Sequence, residues 1–303
     1  MSLSYYKKID DFLGDRKSRY FGDGYLKTNQ SIENFQLLTG ADHTQFVCNG
    51  VVILPEVWSK KGKSNQTPHL STIDVLELSI ECLRQLLLAR TLQNRPVSAG
   101  HIKKISIIAG NAPVETALDN IEISGKSLED SDGNHVLEIS IANMQLEIVY
   151  ISKVSASLPV LSLKKQPIEV SCVMVHADND ESTASAVVKP LSIYTDETWS
   201  ISSCFAASLQ LGQTLLYNLD NVDRAKSNTL WMKRTTITFS NELSRLTLLS
   251  QPISTKLENV RKYTKTDGDW RRADIVSVFC NAKIVCSVTH RLPPEIKPKK
   301  TYQ

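Results

Sequence analysis

Ser79-Ile80-Glu81-Cys82-Leu83-Arg84-Gln85-Leu86-Leu87 and Ser208-Leu209-Gln210-Leu211-Gly212-Gln213-Thr214-Leu215-Leu216 lie 129 residues apart in the chain. Each sits in a segment with helical spacing. The first helix is expected over Thr72–Arg90, where Ile73, Leu76, Ile80, Leu83 and Leu87 recur at i, i+3 and i+4. The second is expected over Ser202–Tyr217, with Phe205, Leu209 and Leu216 on one face. The same offset, without a gap, lays His101-Ile102-Lys103-Lys104-Ile105-Ser106-Ile107-Ile108 over Leu230-Trp231-Met232-Lys233-Arg234-Thr235-Thr236-Ile237. Any two amphipathic helices align somewhat, but here helix and following strand keep one register.

Strand signals fill the rest. β-branched or alternating runs occur at Ile102–Ile108, Ile168–His176, Ala186–Tyr194, Met232–Phe239, Arg245–Leu249 and Ile275–Val288. Val136–Ile151 reads as one long strand, or one with a bulge, after the turn Asp132-Gly133-Asn134. Thr39-Gly40-Ala41-Asp42 marks a turn between Phe35–Leu38 and Phe46–Leu54, and Tyr5–Leu13 is a short amphipathic stretch. One long helix against about five strands in each half is an α+β pattern in which a sheet wraps its helix. This predicts a tandem, or double, hot-dog: two antiparallel sheets, each wrapping one long central helix. The halves are 1–152, with an N-terminal extension, and 153–303. The seam lies near Ser152–Gln166, where Val154-Ser155-Ala156-Ser157-Leu158-Pro159 has connector composition. Two unrelated sheets, or one continuous sheet, are the competing architectures.

Composition sets outer limits. In 303 residues, 41% are hydrophobic and 22% charged, an ordinary globular balance that excludes wholesale disorder. Thirty-five basic and 32 acidic residues leave +3, too little to argue for a nucleic-acid partner. The one locally basic run, Lys297-Pro298-Lys299-Lys300, reads as a solvated end. Met1–Lys8 has no apolar core of a signal peptide, and no apolar run approaches the roughly 20 residues needed to span a bilayer. The expected location is cytoplasmic, with no membrane partner. Six cysteines without a C-x-x-C pair read as small buried hydrophobes, and the histidines show no ligand spacing. No metal and no resident cofactor are expected.

Pro68-His69-Leu70-Ser71-Thr72-Ile73-Asp74-Val75-Leu76-Glu77-Leu78 is the stretch richest in chemistry. His69 precedes the helix, and Asp74 lies in its first turn, where the helix dipole favours a carboxylate. Ser71 and Asp74 form a variant capping box. Asp74, Glu77, Glu81 and Arg84 make one polar stripe. Periodicity alone favours a solvated stripe with Asp74 as a cap. On a helix enclosed by a sheet, the stripe would instead face an interface, and a buried carboxylate beside an imidazole is an acid/base arrangement.

Two resemblances bear on the choice. Dehydratase double hot-dogs carry H-P-x-x-x-D at the start of a central helix. His69 and Asp74 keep that spacing, although Pro68 precedes the histidine. Gly50-Val51-Val52-Ile53-Leu54-Pro55 matches the G-x-x-x-x-P part of their second motif, but Phe46 occupies its histidine place. That argues against a straightforward dehydratase. In the second half the 129-residue offset puts Ser203 at the place of Asp74. Asp10-Asp11-Phe12-Leu13-Gly14, Arg19-Tyr20-Phe21-Gly22-Asp23-Gly24-Tyr25 and Pro68–Asp74 resemble the avirulence protein D family of plant-pathogenic bacteria more closely.

That resemblance implies an enzyme of small-signal biosynthesis. It would join a 3-oxoacyl group, taken from a thioester, to a pentulose such as xylulose, giving an acyl glycoside of the syringolide type that acts as an elicitor. The related A-factor biosynthesis hot-dog enzymes use dihydroxyacetone phosphate as acceptor. The roles implied are His69 as base and Asp74 as the residue that orients or protonates, with Glu77, one turn on, as a second candidate acid. The backbone N–H groups of Ser71, Thr72 and Ile73 are candidate oxyanion donors. Glu77, Glu81, Arg84, Gln210 and Gln213 are candidates for sugar hydroxyls, ordinary helix polarity being as good an account of the two glutamines. The acyl donor would be acyl-CoA or an acyl carrier protein, and the basic loop Ser59-Lys60-Lys61-Gly62-Lys63-Ser64 is either its receiving surface or a solvated loop. Arg19–Tyr25 reads as a lid or as a glycine-hinged turn packing aromatics. Other readings kept open are a thioesterase or hydratase of the same class, a non-catalytic acyl-binding protein, and a homodimer.

Overall fold

Both long helices form where the apolar spacing places them. The computed structural model describes residues 2–39, 44–62, 64–92, 98–129, 134–153, 165–177, 182–191, 199–240 and 249–293. The chain runs β1 (Ser2–Lys8), α1 (Asp10–Leu13), β2 (Asn29–Thr39), β3 (Thr44–Ile53), β4 (Lys60–Lys61), β5 (Ser64–Asn65), α2 (Thr72–Leu92), β6 (Ser98–Ile108), β7 (Ile121–Glu129), β8 (His135–Ile141) and β9 (Met144–Lys153). It continues β10 (Ile168–Ala177), β11 (Ser182–Pro190), α3 (Ile201–Leu219), β12 (Trp231–Phe239), β13 (Gln251–Lys265), β14 (Gly268–Phe279) and β15 (Ala282–Arg291). Short 3-10 turns occur at Arg16–Ser18, Gly24–Lys27 and Arg224–Lys226.

Thirteen strands join in one antiparallel sheet, in the order β1-β10-β11-β13-β14-β15-β12-β6-β9-β8-β7-β3-β2. Two separate sheets were expected; the structure has one. The reason lies at the centre, where β6 and β12, which would otherwise be open edges, pair with each other. The pairing is self-complementary: Ile105 faces Ile237 and Ile108 faces Arg234, the 129-residue equivalents of each other's partners.

The strand order itself repeats. With β1 and the β4–β5 hairpin set aside, each half has six strands, and numbered in chain order both halves read one, two, four, five, six, three, with the long helix after the second strand. Details repeat as well. β2 bulges between Glu33 and Gln36 with Asn34 at φ 53°, and β10 bulges between Ser171 and Met174 with Cys172 at φ 53°. These bulges lie 138 residues apart, whereas the helix starts lie 129 apart, so the stretch from bulge to helix is nine residues longer in the first half, nearly all of it in the link from β3 to α2. That extra length includes the β4–β5 hairpin.

Two expected long strands are hairpins. Val136–Ile151 is split at Ala142-Asn143, and Ile275–Val288 at Cys280-Asn281. Ala142 and Cys280 take positive φ (49° and 53°). Glycine usually fills that place, so neither turn announces itself in the residue types. The expected amphipathic stretch Tyr5–Leu13 is divided between β1, which pairs with β10 at the sheet edge, and the single turn of α1. The readings at 39–42, 132–134, 152–166, 186–194, 245–249 and 297–300 fall wholly or partly outside the described residues.

One apolar cluster takes in both helices and strands of both halves, from Ile9 and Leu13 through Leu76 and Leu83 to Phe205, Leu209 and Ile284. α2 packs on β2, β3, β6 and β8, α3 on β10, β11, β13 and β14, and the helices touch each other. Ser71–Ile80 and Ile201–Gly212 are buried without interruption, so neither helix start has a solvated face. Gly212 lets α3 approach β14: a Cβ there would stand 2.5 Å from Ile275. No described helix is long and apolar enough to cross a membrane.

Candidate active site

The start of α2 opens on a cavity of about 630 Å³, within the usual range for small-molecule sites. Its wall mixes aromatic and polar groups from both halves: Tyr20, Trp58, His69 and Thr72 from the first, Gln213 and Trp231 from the second. Trp58 and His69 belong to the longer β3–α2 link. The His69 ring lies 4.8 Å from that of Trp58 and 6.3 Å from that of Trp231, centroid to centroid. Tyr20 stacks on Trp58 at 4.6 Å. Gly24 allows this approach, since a Cβ there would stand 2.8 Å from the Trp58 carbonyl oxygen. Arg19–Tyr25 is thus a packed turn with Phe21 and Tyr25 buried.

His69 Nδ1 lies 3.1 Å from the Thr67 carbonyl oxygen. A carbonyl only accepts, so Nδ1 carries the hydrogen and the lone pair of the neutral ring is on Nε2. Held by two indoles and one backbone acceptor, the imidazole presents Nε2 as its basic atom.

Ser71 and Asp74 close the helix start between themselves. The Ser71 N–H donates to Asp74 Oδ2 at 2.9 Å, the Ser71 hydroxyl donates to the same oxygen at 2.6 Å, and the Asp74 N–H donates back to Ser71 Oγ at 3.1 Å. Because the Ser71 proton goes to Asp74, the 2.5 Å contact with Tyr20 Oη makes Tyr20 the donor. Burial and the Asp74 charge push the Tyr20 phenol well above its usual range, keeping that proton in place. Gln30 Nε2 donates to Asp74 Oδ1 at 2.6 Å, and Lys165 Nζ donates to Gln30 Oε1 at 3.0 Å. Burial lowers the Lys165 ammonium, against the pull of Glu77 and Asp74.

The second helix solves the same problem differently. Ser203 N–H donates to Ser200 Oγ at 3.1 Å, the counterpart of the Asp74–Ser71 bond. The Ser200 N–H, however, donates to Gln166 Oε1 at 2.9 Å. Gln166 thus supplies from outside the helix what Asp74 supplies from within, and Ser203 can stand at the equivalent place without leaving a donor orphaned.

His69, Ser71, Thr72 and Gln213 line the cavity. Asp74 and Glu77 are buried off it. Ser71 N–H is already spent on Asp74, leaving Thr72 and Ile73 as the N–H groups at the helix start without an acceptor one turn back. Glu77 Oε1 accepts from the Ser202 hydroxyl of α3. Burial raises the Glu77 carboxyl to about 7, against the Ser202 hydrogen bond and the Lys165 charge. Gln210 Oε1 accepts from Arg19 Nη1 at 2.9 Å. Glu81 pairs with Arg84, which is exposed, at 2.7 Å. The stripe therefore runs from buried to exposed along α2.

Sequence reasoning missed Trp58, Trp231, Gln30 and Lys165. Trp58 was legible only as part of the extra nine residues, once strand and helix offsets are compared. Gln30 reaches Asp74, and Lys165 reaches Gln30, from distant strand and link positions that no local pattern connects.

The sequence matches the profile of the Pseudomonas avirulence D protein (AvrD) family over residues 4–162 and 155–293. No curated protein matches it. Among solved structures, the chain is similar to the TesB protein of Mycobacterium avium subsp. paratuberculosis, with 10% identity, TM-score 0.44, and 86% of this chain and 96% of that one covered. It is similar to a conserved hot-dog protein of unknown function from Alicyclobacillus acidocaldarius, with 10% identity, TM-score 0.45, and 85% and 96% covered. It is also similar to a trans-AT polyketide synthase dehydratase domain from Brevibacillus brevis, with 11% identity, TM-score 0.41, and 85% and 96% covered.

Proposed function

We propose, since the chain belongs to the Pseudomonas avirulence D protein (AvrD) family, that it joins a 3-oxoacyl group from an acyl thioester to a pentulose such as xylulose. The halves 1–152 and 153–303 are read as two hot-dog units sharing one sheet, with the reaction at the start of α2. The observation that carries this reading is the cavity that sets His69, between Trp58 and Trp231, beside the start of α2.

His69 Nε2 takes the proton of the attacking pentulose hydroxyl. The hydroxyl oxygen bonds to the thioester carbonyl carbon, the carbonyl oxygen becomes an oxyanion, and the C–S bond then breaks. The thiolate leaves with the proton that His69 holds. The reading assigns the oxyanion to the Thr72 N–H at the cavity wall, with the Ile73 N–H buried behind it. The indole faces suit both a sugar ring and an acyl chain. Asp74 acts here as a positioning residue: its hydrogen bonds fix the helix start and with it the loop carrying His69. Gln213 and Thr72 are polar groups available to the sugar.

The test is thiol release from a 3-oxoacyl-CoA by the purified protein, with and without xylulose. The reading expects release that depends on xylulose and drops sharply in His69→Ala. Release at the same rate without xylulose makes the protein a thioesterase, and absence of release in both removes the proposed reaction.

A further inference from the structure

Among the cations that line the same cavity, three come together from separate segments. Lys61 comes from the β4–β5 hairpin, Arg224 from the 3-10 turn after α3, and Arg19 from the N-terminal segment. They are close neighbours: Arg224 Nη2 lies 3.5 Å from the carbonyl oxygen of Ser18, next to Arg19 in the chain, and Lys61 Nζ donates to the carbonyl oxygen of Ser227, three residues after Arg224. The charge of Arg224 disfavours the charged forms of both Arg19 and Lys61. Burial is the larger cause in each case, pushing Lys61 down to about 8 and Arg19 to about 10. Arg224 is lowered by burial too.

Their compensation is partial. Arg19 pairs with Asp10 and donates to Gln210, but its Nε is buried without a partner. Lys61 Nζ donates to the carbonyl oxygens of Ser227 and Asn228, and Arg224 Nη2 lies 3.5 Å from the Ser18 carbonyl oxygen. Among the described residues neither Lys61 nor Arg224 forms an ion pair. A folded chain that gathers like charges in a partly desolvated wall raises its own free energy unless an anion occupies the space.

We infer that Lys61, Arg224 and Arg19 form a subsite for the phosphate group of a phosphorylated substrate. The Arg224 guanidinium and the Lys61 ammonium, backed by the Arg19 charge, match the several acceptor oxygens and multiple charge of a phosphate ester better than a single carboxylate. The subsite deepens the reading of this cavity as the substrate site and rests on it. Its position also gives the longer β3–α2 link a purpose: the insertion brings both His69 and Lys61 to the cavity, one for the reacting hydroxyl and one for a charged end. Phosphate chemistry has two sources here, a pentulose phosphate or the phosphates of the acyl carrier group.

The experiment measures binding without turnover, by calorimetry on the full chain. The paired probes are xylulose 5-phosphate against xylulose, and coenzyme A against pantetheine, with inorganic phosphate as competitor. At least one phosphorylated probe should bind tenfold or more tightly than its phosphate-free partner, and the pair that shows the difference identifies the source. Inorganic phosphate should weaken that binding. Lys61→Met and Arg224→Gln should each remove about tenfold or more of the preference, the scale of one charge-assisted hydrogen bond. Lys61 lies on a two-residue strand of a small hairpin, so its variant reports on binding even where Arg224→Gln folds poorly. Equal binding within both pairs, or a preference unchanged in Lys61→Met, overturns the inference. A protein that transfers acyl groups yet shows no preference loses the subsite alone; one that shows the preference yet transfers nothing loses the reaction alone.

Discussion

Asp74 Oδ2 accepts from both the backbone N–H and the hydroxyl of Ser71, at 2.9 and 2.6 Å, and its other oxygen is taken by Gln30 at 2.6 Å. Three donors converge on one buried carboxylate. An asparagine there would place an NH₂ against a donor, so it is no neutral replacement despite being a good helix cap in general. Asp74→Asn is expected to cost about 1–3 kcal/mol, the penalty for a buried polar group left with a wrong partner. Chemical denaturation reads this directly. A variant as stable as the parent would show that the cluster tolerates an NH₂ and that Asp74 has a role other than closing the helix start.

His69 is held by ring contacts and one bond to Thr67, not by the core. His69→Ala should lower turnover by about a hundredfold or more, the usual scale of a general base. Its melting temperature should stay close to that of the parent. Equal losses of turnover and of folded protein would make His69 a packing residue.

Glu77 sets a pH dependence of stability. Its folded value of about 7 lies above the ordinary 4.5, so the folded state binds its proton more tightly than the unfolded chain does. The associated stabilisation is complete below about 4.5 and disappears as pH rises through about 7. Glu77→Gln keeps the shape without the titration. Relative to the parent, it should gain stability between pH 5 and pH 8, by at most about 3 kcal/mol. A difference between the two proteins that does not change with pH would contradict this.

Gly212 faces Ile275 across the contact between α3 and β14. Alanine would gain about 0.5–1 kcal/mol of helix preference but overpack the contact, at about 1–3 kcal/mol. Gly212→Ala should therefore melt earlier. A later melt would mean that Ile275 moves aside freely.

The repeat was the most legible feature of the fold. Helix and strand share one offset in sequence, and the Ser71 and Ser200 caps and the β6–β12 pairing keep that offset in space. The merging of the sheets was not legible, because pairing between two edge strands leaves no mark on either strand's alternation. The Ala142 and Cys280 turns were hidden by residue types that seldom take positive φ. At the site, the sequence marked Pro68–Asp74 and the Ser71–Asp74 cap, which the structure shows, while the resemblance alone supplied the acid role of Asp74. Its three hydrogen bonds come partly from Gln30, 44 positions away, and no spacing rule reaches that far. The cations of the cavity wall are scattered over more than two hundred residues and gather only on folding.

The central claim is that one cavity brings an acyl thioester and a pentulose together at His69. The direct measurement is mass spectrometry of the products formed by the purified protein from a 3-oxoacyl-CoA and ¹³C-labelled xylulose. The account predicts a product that carries both the acyl chain and the label, formed by the parent and strongly reduced in His69→Ala. Free 3-oxo acid with all the label left in unreacted xylulose, or labelled product formed equally by His69→Ala, would contradict it.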